Sequence, residues 1–101
     1  MRRPTGTPCR ECPWRRVSPN GWLGGIGTPE EWGHLAHSDE PIACHLTVQE
    51  DDVTAGTTHC SGAAIYRTHI CKAGVERLPA SPDVFANRQE FLDHHNARIR
   101  P

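Results

Sequence analysis

Cys9-Arg10-Glu11-Cys12-Pro13-Trp14 is the stretch on which the reading of this chain turns. Two cysteines with two residues between them, closed by a proline, can aim both thiolates at one soft metal centre. Two more cysteines follow, each beside a histidine, in Cys44-His45 and His59-Cys60. A pair at this spacing, joined by two cysteines that flank expected elements, is uncommon by chance. Cys9, Cys12, Cys44 and Cys60 are therefore read as one set of metal ligands, with His45 and His59 as alternates. A thioredoxin-type redox pair would need a strand before it and a helix after it. Thr7 and Pro8 precede Cys9 and Pro13 follows Cys12, which removes that setting.

Composition supports a stabilising centre. The chain has 101 residues, the size of a single domain spanning 1–101. Its hydrophobic residues are 36 % of the total, and Gly and Pro number nine each. Small chains with a thin core are commonly reinforced by disulfides or a structural metal. Five cysteines is an odd number, which weakens a pure disulfide framework. No run of ~18 apolar residues is present, so no membrane partner is expected. Arg2-Arg3 leads into Pro4 and polar residues, not the apolar core of a secretory signal. The expected compartment is the cytoplasm, where cysteine clusters more often bind metal than pair. The net charge of −1 argues against a dedicated nucleic-acid binder, although Arg2, Arg3, Arg10, Arg15 and Arg16 cluster around the first cysteine pair.

Along the chain, 1–8 reads as a flexible, irregular arm, and Ser18-Pro19-Asn20-Gly21 as a turn. Thr28-Pro29-Glu30-Glu31 starts a helix, with Thr28 as N-cap, Pro29 in the first position and Glu31 closing a capping box. Trp32, Leu35 and Ala36 share a face, and Asp39-Glu40-Pro41 stops the helix. Ile42 to Leu46 is a strand or extended run into the core. The polar segment 47–58, with Glu50-Asp51-Asp52, is expected as a surface loop. Cys60 to about Ala73 is the best central helix, with Gly74 as its stop. Asn87-Arg88-Gln89-Glu90 opens a last helix carrying Phe91, Leu92 and His95 near one face. The fold class that follows is a small irregular α+β or mostly α domain. It has about three helices and a loop-rich N-terminal half organised around the four-cysteine metal site.

On a helix from 60 to 73, Cys60 and Cys71 would lie about 16 Å apart, at ~1.5 Å per residue. Cys71 is therefore separate from the set and expected as a buried small hydrophobe. Two observations favour an iron–sulfur centre of 4Fe-4S type, with Zn2+ as second choice. Only one C-x2-C knuckle is present, and a cysteine followed by proline is a familiar flank of cluster ligands. Trp14 and Trp22 are placed to shield the centre.

These residues carry a resemblance. Cys9-Arg10-Glu11-Cys12-Pro13-Trp14-Arg15, Ala43-Cys44-His45 and Cys60-Ser61-Gly62-Ala63, with Thr28-Pro29-Glu30-Glu31-Trp32 and Phe91-Leu92-Asp93-His94-His95, resemble a small domain of unknown function found in actinobacteria and their phages. The resemblance implies a metal-binding set at Cys9, Cys12, Cys44 and Cys60 and no established activity. It also makes the compartment the host cytoplasm if the chain is phage-encoded. Cys12-Pro13-Trp14-Arg15 and Gly21-Trp22-Leu23-Gly24-Gly25 are more distantly similar to WhiB-like iron–sulfur regulators. The cysteine spacing departs from that pattern, and the basic tail is missing.

Bland readings win elsewhere. His34 and His37 are three apart on a helix but read as a solvated face, and Glu50-Asp51-Asp52 lacks the glycine and terminal glutamate of a calcium loop. No phosphate-cradling motif is present. The sequence thus points to a non-enzymatic metal-binding protein with a regulatory or host-interaction role, through a protein partner such as a transcription or host factor. A structural zinc module that docks nucleic acid through the N-terminal arginines is the alternative, and a redox or electron-transfer protein is the third.

Overall fold

The computed structural model describes residues 1–97 and holds three helices and one two-stranded sheet, an irregular α+β fold. Helix α1 spans Pro29–Ala36. Its start follows the sequence expectation: the Thr28 hydroxyl accepts the Glu31 N–H at 3.2 Å, with Pro29 in the first turn. Its end is held from outside the helix. The buried Arg67 guanidinium donates to the carbonyls of Leu35, Ala36, Ser38 and Glu40 at 2.6–3.1 Å. The Leu35 and Ala36 carbonyls are among those that a helix C-terminus leaves without intrahelical partners. A cation there also meets the negative end of the helix dipole.

Segment 47–58, expected as a surface loop, carries the sheet instead. Strands β1 (Val48–Gln49) and β2 (Asp52–Gly56) pair antiparallel, Val48 with Gly56 and Gln49 with Asp52. Glu50 and Asp51 make the two-residue turn with φ of 54° and 56°. Both are left-handed, the geometry that matches strand twist in tight hairpins. Beside the hairpin, Ile42–Cys44 runs extended, but the expected run to Leu46 stops there, because the chain turns at 45–47 with Thr47 N bonding Cys44 O. Ala43 bridges His59 antiparallel, and bonds run from Cys44 N to Thr58 O (2.7 Å) and from Cys60 N to Ile42 O (2.9 Å). The 1–8 arm is irregular but pinned: Arg2 bridges Thr58, its N–H donating to Thr57 O at 2.7 Å and its carbonyl accepting from His59 N at 2.9 Å.

Helix α2 covers Ser61–His69, shorter than the expected 60–73. It stops because Cys71 turns left-handed (φ 56°), with Cys71 N bonding Thr68 O and Lys72 N bonding Arg67 O. That hydrogen-bond pair is a Schellman cap, with cysteine where glycine is usual. Cys71 is consequently exposed, and the expectation that it is a buried hydrophobe is corrected. Helix α3 spans Arg88–Asn96, capped by Asn87, whose side chain accepts Glu90 N–H at 3.0 Å.

The three helices and the first knuckle close around Trp14, which is fully buried. Its ring stacks on Phe91 at 4.3 Å and lies against Tyr66 at 4.7 Å and Trp32 at 6.0 Å. Such pairs add ~0.5–1.5 kcal/mol each beyond the area they bury. A chain with few apolar residues has thus concentrated them at one point, directly after Cys12. No helix among the described residues is long and apolar enough to cross a membrane.

Candidate metal centre

Local hydrogen bonding brings the four cysteines towards one another from three chain segments. The first knuckle is a tight turn, with Cys12 N donating to Cys9 O and Arg15 N to Cys12 O, both at 3.1 Å. It is anchored from α3 by His95. That buried imidazole donates Nε2–H to Pro13 O at 2.8 Å and accepts Gly21 N–H on Nδ1 at 3.0 Å. One side chain therefore fixes the exit of the knuckle and the turn that carries Trp22. The Trp22 indole N–H reaches the Glu11 carbonyl at 3.3 Å, setting that half-exposed residue beside the knuckle.

The other two cysteines come from the Ala43/His59 bridge. In that antiparallel register Cys44 lies opposite Thr58 and Cys60 opposite Ile42, so Cys44 and Cys60 share one face. Their neighbour His59 takes the opposite face by strand alternation. Its Nδ1–H is used up on Arg2 O at 2.9 Å. Cys60 is also the N-cap of α2, its sulfur accepting the Ala63 N–H at 3.5 Å. The sulfurs of Cys12 and Cys60 stand 3.7 Å apart, with side chains 1 % and 5 % exposed. Gly62 makes that approach possible, since a Cβ there would overlap the Cys12 sulfur and come within 2.9 Å of Trp14 Cβ.

Cys9 and Cys44 form a second, half-exposed edge. Cys9 is drawn down to about 6, chiefly by the Cys12 side chain beside it, with His45 acting in the same direction. Cys44 is pushed up mainly by burial, and it borders Cys9 and feels Cys60. Cys12 is raised well above the ordinary thiol range by its Cys60 and Cys9 neighbours, whereas Cys60 is lowered, first by Cys12 and then by the Ala63 and Gly62 N–H groups. Cys12 and Cys60 are thus in direct contact, with Cys9 beside Cys12 and Cys44 beside Cys9. Among the described residues, however, no three His, Cys, Asp or Glu side chains stand converged as a ready-made metal-holding group.

His45 differs from His59. The chain turns after Cys44, with Thr47 N and Oγ1 both donating to Cys44 O, so strand alternation no longer dictates where His45 lies. Both His45 ring nitrogens are shut off from solvent without a hydrogen-bond partner. An unpartnered buried polar group costs about 1–3 kcal/mol. The His34/His37 pair makes no clip: His34 is exposed, and His37 Nε2 pairs with Tyr66 OH at 2.9 Å. Cys71 lies past the far end of α2 from Cys60.

Sequence reasoning did not assign His95 its double clip, Arg67 its cap or Gly62 its clearance. The i, i+4 spacing of Phe91 and His95 was the available signal for the first. Comparison with protein-family models, curated proteins and solved structures finds no match for this chain.

Proposed function

We propose that the chain is a metal-binding protein whose centre is a single zinc ion held by Cys9, Cys12, Cys44 and Cys60. The observation that carries this reading is the 3.7 Å separation of the Cys12 and Cys60 sulfurs. Four sulfurs at ~2.3 Å from one zinc in a tetrahedron lie about 3.8 Å from each other. A 4Fe-4S cube binds each cysteine at a different iron, which spreads the sulfurs much farther apart. The donor set agrees in chemistry, since thiolates on tight turns and a helix N-cap suit a soft tetrahedral ion. A metal would displace the protons held by the raised Cys12 and Cys44 thiols, which couples binding to folding.

The role that suits such a centre is structural and regulatory. It would lock the first knuckle, the Ile42–Cys44 run and the start of α2 into one surface, presented to a protein partner. Trp22 at 37 % and Leu46 at 66 % exposure are apolar groups flanking that surface. The test is purification without oxygen, followed by a visible spectrum and analysis of zinc, iron and sulfide. A colourless protein with one zinc per chain is expected. A brown protein with matching iron and sulfide would replace zinc with the cluster, and a protein lacking both metals would remove the metal reading.

A further inference from the structure

The redox setting that Cys9 and Cys12 lack is present at Cys60. An extended residue, His59, bridged to Ala43, leads into it, and Cys60 is itself the N-cap of α2. Its sulfur lies 3.7 Å from that of Cys12, 48 residues away in the chain. Closing to a disulfide of ~2.05 Å takes an approach of only about 1.7 Å. Gly62 keeps the way clear, since a side chain there would overlap the Cys12 sulfur. Both thiols are buried, so a reagent in solution does not reach either directly. The half-exposed Cys9 can be reached, and the turn that bonds Cys12 N to Cys9 O at 3.1 Å holds it beside Cys12. Cys9, Cys12 and Cys60 thus step from the surface to the interior.

We propose that Cys12 and Cys60 form a redox-active pair, which a low-molecular-weight disulfide oxidises through Cys9. The Cys9 thiolate attacks one sulfur of the small disulfide, forming a mixed disulfide and releasing one small thiolate. The Cys12 thiolate then attacks the Cys9 sulfur and expels the second. The Cys60 thiolate attacks the Cys12 sulfur, closes the Cys12–Cys60 bond and returns Cys9 as a thiolate. In the net reaction Cys12 and Cys60 each give up one electron and one proton. The small disulfide takes up both electrons and both protons and becomes two thiols. Cys71 has no part, since it lies past the far end of α2. This chemistry goes beyond the metal reading and needs no ion. The new bond staples the first knuckle to the start of α2 and, by joining residues 48 apart, restricts the unfolded chain.

The test uses the full chain, reduced, freed of metal by a chelator and treated with oxidised glutathione. Free thiols are then alkylated and the products mapped by peptide mass spectrometry. A Cys12–Cys60 linked peptide with Cys9 free is expected, with glutathione retained on the solitary, exposed Cys71. Cys9→Ala should slow closure by on the order of 10-fold or more, because the pair itself is shut off from solvent. The oxidised chain should also unfold at higher denaturant concentration, a shift that dithiothreitol abolishes. Glutathione held stably on Cys9, with Cys12 and Cys60 still free, would overturn the pair, as would a final bond from Cys9 to Cys12 or Cys44. These maps come from the unaltered chain and stand even where Cys9→Ala fails to fold. Closure at an unchanged rate in Cys9→Ala would overturn the entry role of Cys9. Zinc added beforehand should block closure, and oxidation at full speed in zinc would count against the metal reading while leaving the pair intact.

Discussion

The aromatic core under Trp14 and the cysteine pocket beside it share a wall, yet they are finished to different degrees. On the core side, Trp14, Tyr66, Phe91 and Trp32 fill space with ring against ring, and the Tyr66 hydroxyl pairs with His37, although the Trp14 indole N–H at the centre has no partner. On the pocket side, four thiols crowd together, two with pKa values driven down and two driven up, and a histidine has no partner. The first region is closed by apolar packing of the chain itself. The second is the region that the proposed metal would complete. Apolar packing needs only the chain, whereas gathered thiols become strongly favourable when a cation replaces their protons.

The largest effect expected is on the pocket. Removing metal with a chelator should cost a substantial share of stability, since structural zinc contributes on the order of 10 kcal/mol in small domains. The Trp14 core should outlast the knuckle as a collapsed remnant. Thermal unfolding followed by tryptophan fluorescence, with and without chelator, checks this, and coincident curves would break the comparison. Next comes the shared wall. Gly62→Ala would force its Cβ into Cys12 and Trp14, so it should destabilise by about 3 kcal/mol and also weaken metal binding. Chemical denaturation and metal titration of one sample would show whether the two regions fail together.

A smaller effect tests the clip that joins them. Burial pulls the His95 pKa below its usual value, against the Pro13 carbonyl, which favours the protonated ring. A folded-state pKa below that of the unfolded chain means the unfolded state binds more protons on acidification. The stabilisation is therefore present above about pH 6.5 and is lost as pH falls below it. His95→Asn should lower stability at neutral pH and flatten this part of the pH profile. A profile of unchanged steepness would remove His95 from the account. The smallest effect is at Cys71. Glycine suits its left-handed backbone, so Cys71→Gly should stabilise by up to about 1 kcal/mol and leave metal content unchanged.

The two regions were also unequally legible in the sequence. Helices α1 and α3 could be read because Thr28 and Asn87 cap within their own neighbourhoods. The end of α2 could not, because its left-handed stop fell on Cys71 and not on the nearby Gly74. The hairpin was hidden because Glu50 and Asp51 adopt turn geometry usually given to Asn and Gly, and so looked like a charge run. At the site, the C-x2-C spacing marked the first knuckle. The difference between His45 and His59 depends on a turn after Cys44 and on an arm folding back to His59, which no local pattern encodes. The contact between Cys12 and Cys60 likewise spans 48 residues and depends on a missing side chain at Gly62.

Counting reactive thiols tests the central claim most directly. The protein as purified, and the same sample after chelation, are each treated with a chromogenic disulfide reagent. The account predicts that only Cys71 among the five cysteines reacts promptly before chelation, and that Cys9, Cys12, Cys44 and Cys60 join it afterwards. The same count before and after chelation would contradict a shared metal centre.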